Sequence, residues 1–138
     1  AYNWTSTEVD QASSNISAER IRMIEDNLPA VRYSLTANHT NGDWRFLGRI
    51  NYAGSIFEDH LDSALPIDKV SSEVTLDLEV GYNINESFNI VVGAKNALDE
   101  EPDINSQYDT EVAGSKFPTT SPIGINGGFY YLKGVYTF

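Results

Sequence analysis

Apolar residues recur at every second position in six separate stretches of this chain. The clearest runs from Glu73 to Asn83, where Val74, Leu76, Leu78, Val80 and Tyr82 alternate with Thr75, Asp77, Glu79 and Gly81. The next, Phe88 to Leu98, repeats the pattern, with Phe88, Ile90, Val92 and Ala94 against Asn89, Val91, Gly93 and Lys95. The same period marks residues 1–9, 31–40, 44–55 and 127–138, and in the last of these Phe138, Tyr136, Leu132 and Tyr130 share one side. Successive side chains of a strand point to opposite faces of a sheet, so this period predicts six strands, each with an apolar and a more polar face.

The connections alternate in length. Asn41-Gly42 and Ile84–Ser87 are tight, while residues 10–30, 56–72 and 99–126 form long loops. Short connections join antiparallel neighbours, so the expected fold is all-β and up-and-down, with tight turns at one end and long loops at the other. Asn-Gly is the favoured pair for a type I′ hairpin turn. Such a turn pairs Thr40 with Asp43 and sets Ala37 opposite Phe46, Leu35 opposite Gly48, Tyr33 opposite Ile50 and Val31 opposite Tyr52. A slip of one residue would move every apolar side chain to the other face. In the first long loop, Ser17 followed by residues 18–25 reads as a short capped helix with Ile21, Ile24 and Leu28 on one face, packed over the rim of the sheet.

Alternation alone also suits a soluble antiparallel sheet, and the runner-up is a soluble all-β carbohydrate-binding module. The aromatics favour the membrane. Trp44, Tyr52, Tyr82, Phe88, Tyr130 and Phe138 fall near strand ends on the apolar side, where a membrane barrel carries its aromatic girdles. The other face holds Arg32, Arg45, Arg49, Asp77, Glu79, Lys95 and Lys133, expected to line a wet lumen and to pair across strands. Apolar runs are far shorter than the roughly 20 residues of a membrane helix, whereas strands of about 9 to 11 residues suffice for a barrel. His39, beside Trp44, reads as an interfacial side chain and not a metal ligand.

These stretches resemble TonB-dependent outer-membrane receptors. The likeness is carried by Val92-Gly93-Ala94-Lys95-Asn96-Ala97-Leu98-Asp99-Glu100-Glu101-Pro102 and by Ser121-Pro122-Ile123-Gly124-Ile125-Asn126-Gly127-Gly128-Phe129-Tyr130-Tyr131. Upstream, Asn27–Leu35 and Arg49–Ser55 match two earlier strands in the same order, so almost the whole chain is covered. The resemblance implies the carboxy-terminal part, about six strands, of a barrel of about 22 strands that encloses a plug. It implies import of a scarce nutrient of the oligosaccharide, iron-chelate or cobalamin class across the outer membrane, with energy supplied through the TonB complex. It also implies that Phe138, Tyr136, Leu132 and Tyr130 act as a signal to the barrel-assembly machinery. No plug and no TonB-contacting segment lie in these residues, so the expected partners include the lipid bilayer and the remainder of barrel and plug, from upstream sequence or another chain. The strand-like opening at Ala1 fits a start within a longer protein.

Candidate chemistry beyond transport is sparse. Asp99, Glu100, Glu101 and Asp103 form an acidic run that is a weak candidate for Ca²⁺, which accepts carboxylates in loose geometry. Glu58, Asp59, His60 and Asp62 raise the same question for a metal or cationic substrate. With no cysteine there is neither a thiol nucleophile nor a disulfide framework. No Ser-His-acid order, phosphate loop or paired-carboxylate pocket stands out, so no catalysis and no cofactor are expected. The net charge of −11 disfavours nucleic acid as a partner. Within residues 99–126, six acids face the single base Lys116, a local balance of −5 that suits a neutral or cationic solute better than an anion. Tyr108, Phe117, Phe129 and Tyr131 are candidate platforms for sugar rings.

Overall fold

A computed structural model describes residues 1–58, 68–105, 108–109 and 115–138. Six strands form one antiparallel sheet: β1 (Tyr2–Trp4), β2 (Val31–Asn41), β3 (Trp44–Ala53), β6 (Glu73–Asn85), β7 (Phe88–Lys95) and β8 (Phe129–Tyr136), in that spatial order. Helix α1 (Ala18–Asp26) precedes β2, and a small hairpin of β4 (Ile56–Glu58) and β5 (Asp68–Val70) lies between β3 and β6. The sheet is open, with β1 and β8 at its edges. All six expected strands form, and in sequence order. The first is shorter than the period suggested: beyond Trp4 only the Thr5 N–H bond to the Ala30 carbonyl continues the ladder, because β2 begins at Val31. The long connection 56–72 contains the β4–β5 hairpin, which its sequence did not announce.

The β2–β3 register differs from the type I′ expectation. Asn41 pairs with Trp44, His39 with Phe46, Leu35 with Ile50 and Tyr33 with Tyr52, so each partner is displaced by two residues. The two-residue loop is Gly42-Asp43, with φ at Gly42 of +57°. Asp43 keeps a negative φ, and glycine at the first loop position followed by an ordinary residue is the type II′ arrangement. A displacement of two preserves the faces, which is why the expected sorting survives the wrong register.

One face carries Trp4, Tyr33, Leu35, Ile50, Phe46, Trp44, Leu76, Leu78, Val80, Tyr82, Val92, Leu132 and Tyr136, placed together by the register. This face is exposed: Leu35 is 68% exposed, Val92 57% and Leu132 75%, while Val91, among the charged residues of the polar face, is 2% exposed. Aromatics edge this face at both ends. Tyr33 and Tyr52 stack at 4.7 Å at the long-loop end, and Trp44 meets Tyr82 at 4.6 Å at the tight-turn end.

Apart from Val91, the buried apolar side chains collect at the long-loop end. Ala53, Ile56, Phe57, Val70 and Pro118 are buried there, so the core of the described residues is a cap on the sheet. Helix α1 joins this cap. Ser17 caps it, accepting a hydrogen bond from the Arg20 N–H at 3.2 Å, and Arg22 lies over the Phe57 ring at 4.2 Å. The face expected to pack does so incompletely, since Ile24 and Leu28 are more than half exposed and the guanidinium supplies the contact with β4. Among the described residues no helix is long and apolar enough to cross a membrane, which says nothing about strands.

Candidate functional site

The seven charged residues expected to share the polar face do share it. Arg45 reaches Glu79 at 2.7 Å, passing alongside Gly81. Glu79 also accepts a hydrogen bond from the Tyr131 hydroxyl at 2.7 Å. Tyr131 gets there by lying over Gly93, which stands between it and Glu79 in the same row of the sheet; a methyl group on Gly93 would sit within the ring. Nearer the loops, Asn51 donates to Thr75 at 3.2 Å and to Asp77 at 3.0 Å, and the other Asp77 oxygen accepts from the Asn96 N–H at 3.1 Å. Arg49 donates to the Thr36 hydroxyl at 3.0 Å. Arg32, Lys95 and Lys133 have no carboxylate partner among the described residues.

At the long-loop end this face opens into a cleft of about 600 Å³. Its floor is Asn3, Arg32, Ser34, Asn51, Thr75, Asp77 and Lys95, with Phe129 at one side and Pro122 and Ile123 of the last long loop above. The volume lies within the range of small-ligand sites. Phe129 is 61% exposed and stacks on Tyr131 at 6.1 Å. Of the four aromatics considered as sugar platforms only Phe129 lines the cleft; Tyr131 is engaged with Glu79, Phe117 sits beneath the Lys116 ammonium at 4.6 Å, and Tyr108 stands apart.

In the acidic run 99–103, two carboxylates are engaged by backbone N–H groups. Asp99 accepts from the Gly128 N–H and Asp103 from the Ser71 N–H, each at 2.7 Å, and among the described residues no three metal-ligating side chains converge. Asp99 instead works with Asn96. Both have positive φ, of +57° and +49°, and Asn96 bonds both backbone groups of Glu100 through its side chain. The Asn96–Glu100 corner thereby ties the exit of β7 to Gly127 and Gly128 at the entrance of β8, where a side chain on Gly127 would strike the Asp99 carboxylate.

Glu58, considered for a metal, is buried and spends both oxygens on the last long loop. It accepts from the N–H and hydroxyl of Thr119 at 3.0 and 3.1 Å and from those of Thr120 at 3.2 and 2.7 Å. Burial pushes its carboxyl up, but the Thr120 hydroxyl, the two backbone N–H groups and the Thr119 hydroxyl together hold it below its ordinary range. Asp59, His60 and Asp62 lie outside the described residues. Glu73, not singled out from sequence, is buried at the loop end of β6 with neither oxygen hydrogen-bonded among the described residues.

The chain matches no family model, no curated protein and no solved structure.

Proposed function

We propose that this chain is the carboxy-terminal part of the barrel of a TonB-dependent outer-membrane receptor, a transporter that imports a scarce nutrient with TonB-supplied energy. One observation carries the reading: the apolar face of the sheet is exposed along its whole width, edged by aromatics at both ends, while the polar face is hydrogen-bonded and partly covered. Lipid is the solvent that makes such a face favourable, since water would penalise it at about 25 cal/mol per Å². An open sheet cannot stand in a bilayer, because its edge N–H and C=O groups would be unpaired. The β1 and β8 edges are therefore completed by further strands of the same barrel, and a plug fills the lumen that the polar face lines. The short turns face the periplasm and the long loops face outward.

Phe138, Tyr136, Leu132 and Tyr130 share the lipid-facing side of the last strand and present the signal read by the barrel-assembly machinery. The nutrient binds from outside in the cleft bounded by Arg32, Asp77, Lys95 and Phe129.

Fractionation of cells producing the native polypeptide tests the proposal. The protein should remain in the washed outer-membrane fraction, require detergent for extraction, and have a mass several-fold above the 15.3 kDa of these 138 residues. A monodisperse, detergent-free species of 15.3 kDa would overturn it in favour of a soluble carbohydrate-binding module.

A further inference from the structure

We propose that Glu73 is the inner ligand of a calcium site that fastens the last long loop to the start of β6. Glu73 is 4% exposed, and neither of its carboxylate oxygens has a hydrogen-bond partner among the described residues. Glu58, buried at the same end of the sheet, receives four hydrogen bonds; Glu73 receives none. Its surroundings carry one sign of charge. The Ser71 N–H, two residues before Glu73, holds the Asp103 carboxylate at 2.7 Å, and the negative charges of Asp103 and Glu100 act on Glu73. Among the described residues no lysine or arginine forms an ion pair with it. Arg32 shares its row of the sheet but stands two strand steps away, beyond Ala53, roughly 10 Å at ordinary strand spacing. A buried carboxylate facing like charges is strongly unfavourable unless a proton or a cation compensates it.

The oxygens around Glu73 favour the cation. Ser71 engages only Oδ2 of Asp103, which leaves Oδ1. The Ser121 hydroxyl stands beside Glu73 but gives its proton to the Gly124 carbonyl at 3.2 Å, so it offers lone pairs and no donor. A proton on Glu73 cancels one of the three negative charges, whereas a divalent ion cancels two and takes lone pairs from all of these oxygens. Carboxylate and hydroxyl oxygens suit a hard ion, and Ca²⁺ accepts them with water in irregular sets of about six to eight. Among the described residues no three metal-ligating side chains converge, so Glu73 and Asp103 supply the carboxylates, Ser121 the hydroxyl and water the rest. Asp103 is exposed and opens the site to solvent. The cover over Glu73 comes from this chain, so the site needs no plug and stands whether lipid or water meets the apolar face.

The test titrates Ca²⁺ into the full native protein, purified and washed with chelator, and follows binding by calorimetry and loop order by hydrogen exchange. Saturable binding is expected, with a Kd of about 10⁻⁴ to 10⁻³ M, the range of extracellular calcium modules. At Ca²⁺ about tenfold above that Kd, exchange at the Ser121 and Ser71 amides should slow about tenfold. Glu73→Gln keeps the shape of the side chain and should weaken binding at least about tenfold, as should Asp103→Asn. Glu101→Gln, in the same acidic run, should leave it unchanged. Unaltered exchange of the β6 and β7 strand amides reports that the variants remain folded. Absence of saturable binding would overturn the proposal and leave Glu73 compensated by a proton. Binding that survives Glu73→Gln, or that falls equally in Glu101→Gln, would overturn it as well, since the ion would then sit on the acidic surface and not at Glu73.

Discussion

Leu78→Arg should remove the protein from the outer membrane. Leu78 lies midway along the apolar face of β6, between Gly48 and Ala94 on its neighbours, and is 45% exposed. If that face meets lipid, an arginine there costs about 2 to 4 kcal/mol, because the charge must sit in hydrocarbon or drag water to it. A marginally stable domain has only about 5 to 15 kcal/mol in hand, so assembled protein should fall severalfold while misassembled, protease-sensitive material rises. The matched control is Glu79→Arg, one residue along and on the polar face. It breaks the contacts to Arg45 and Tyr131, yet keeps its charge in a wet environment, so the protein should still reach the membrane. A soluble protein with this face free in water would behave in the opposite way: arginine at position 78 would be tolerated.

Glu58→Ala should release the last long loop. Four hydrogen bonds from Thr119 and Thr120 converge on one buried carboxylate, and removing it leaves donors without acceptors, at a cost of about 2 to 3 kcal/mol. Hydrogen exchange at the Thr119 and Thr120 amides should accelerate by roughly 30- to 150-fold, with strand amides of β3 and β6 unaffected. Glu58→Gln, which keeps one acceptor oxygen, should fall between. The same clamp predicts acid sensitivity. Because the carboxyl is held below its ordinary value of 4.5 in the folded protein, its contribution is complete above that value and is lost as the pH falls through the lower folded value. Exchange at these two amides should therefore rise with acidity below about pH 4.5, after correction for the intrinsic rate, in the native protein and not in Glu58→Ala.

The two faces of the sheet were legible in the sequence because the period of a strand is local: Val74, Leu76, Leu78, Val80 and Tyr82 declare their side whatever pairs with them. The register at Gly42-Asp43 was not, since Asn41-Gly42 permits a turn one position earlier and the choice depends on how the flanking aromatics pair. Asn41 joins the ladder opposite Trp44, which lets Tyr33 stack on Tyr52. The seven charged residues of the polar face followed from the same period, but their partners did not. Arg45 meets Glu79 diagonally, and Tyr131 reaches Glu79 only because Gly93 leaves the space. The acidic run 99–103 was legible as a cluster of carboxylates, but the partners of Asp99 and Asp103 were not, since Gly128 and Ser71 each lie about 30 residues away in sequence. Glu58 and Thr119 are separated by 61 residues, and no local pattern announces such a contact. Pro122 and Ile123 join the sheet residues in lining the cleft, and a loop's path is set by contacts that periodicity does not encode.

In the proposed barrel wall, lipid covers the apolar face. The described chain contains no cysteine, so single cysteines can be placed in turn at positions 74 to 82 of β6 in the membrane-inserted protein and labelled with a probe. The even positions should be quenched by a lipid-soluble agent and shielded from a water-soluble one, and the odd positions should show the reverse, alternating residue by residue. Even positions shielded from both agents would mean that protein, not lipid, covers this face, and would contradict the account.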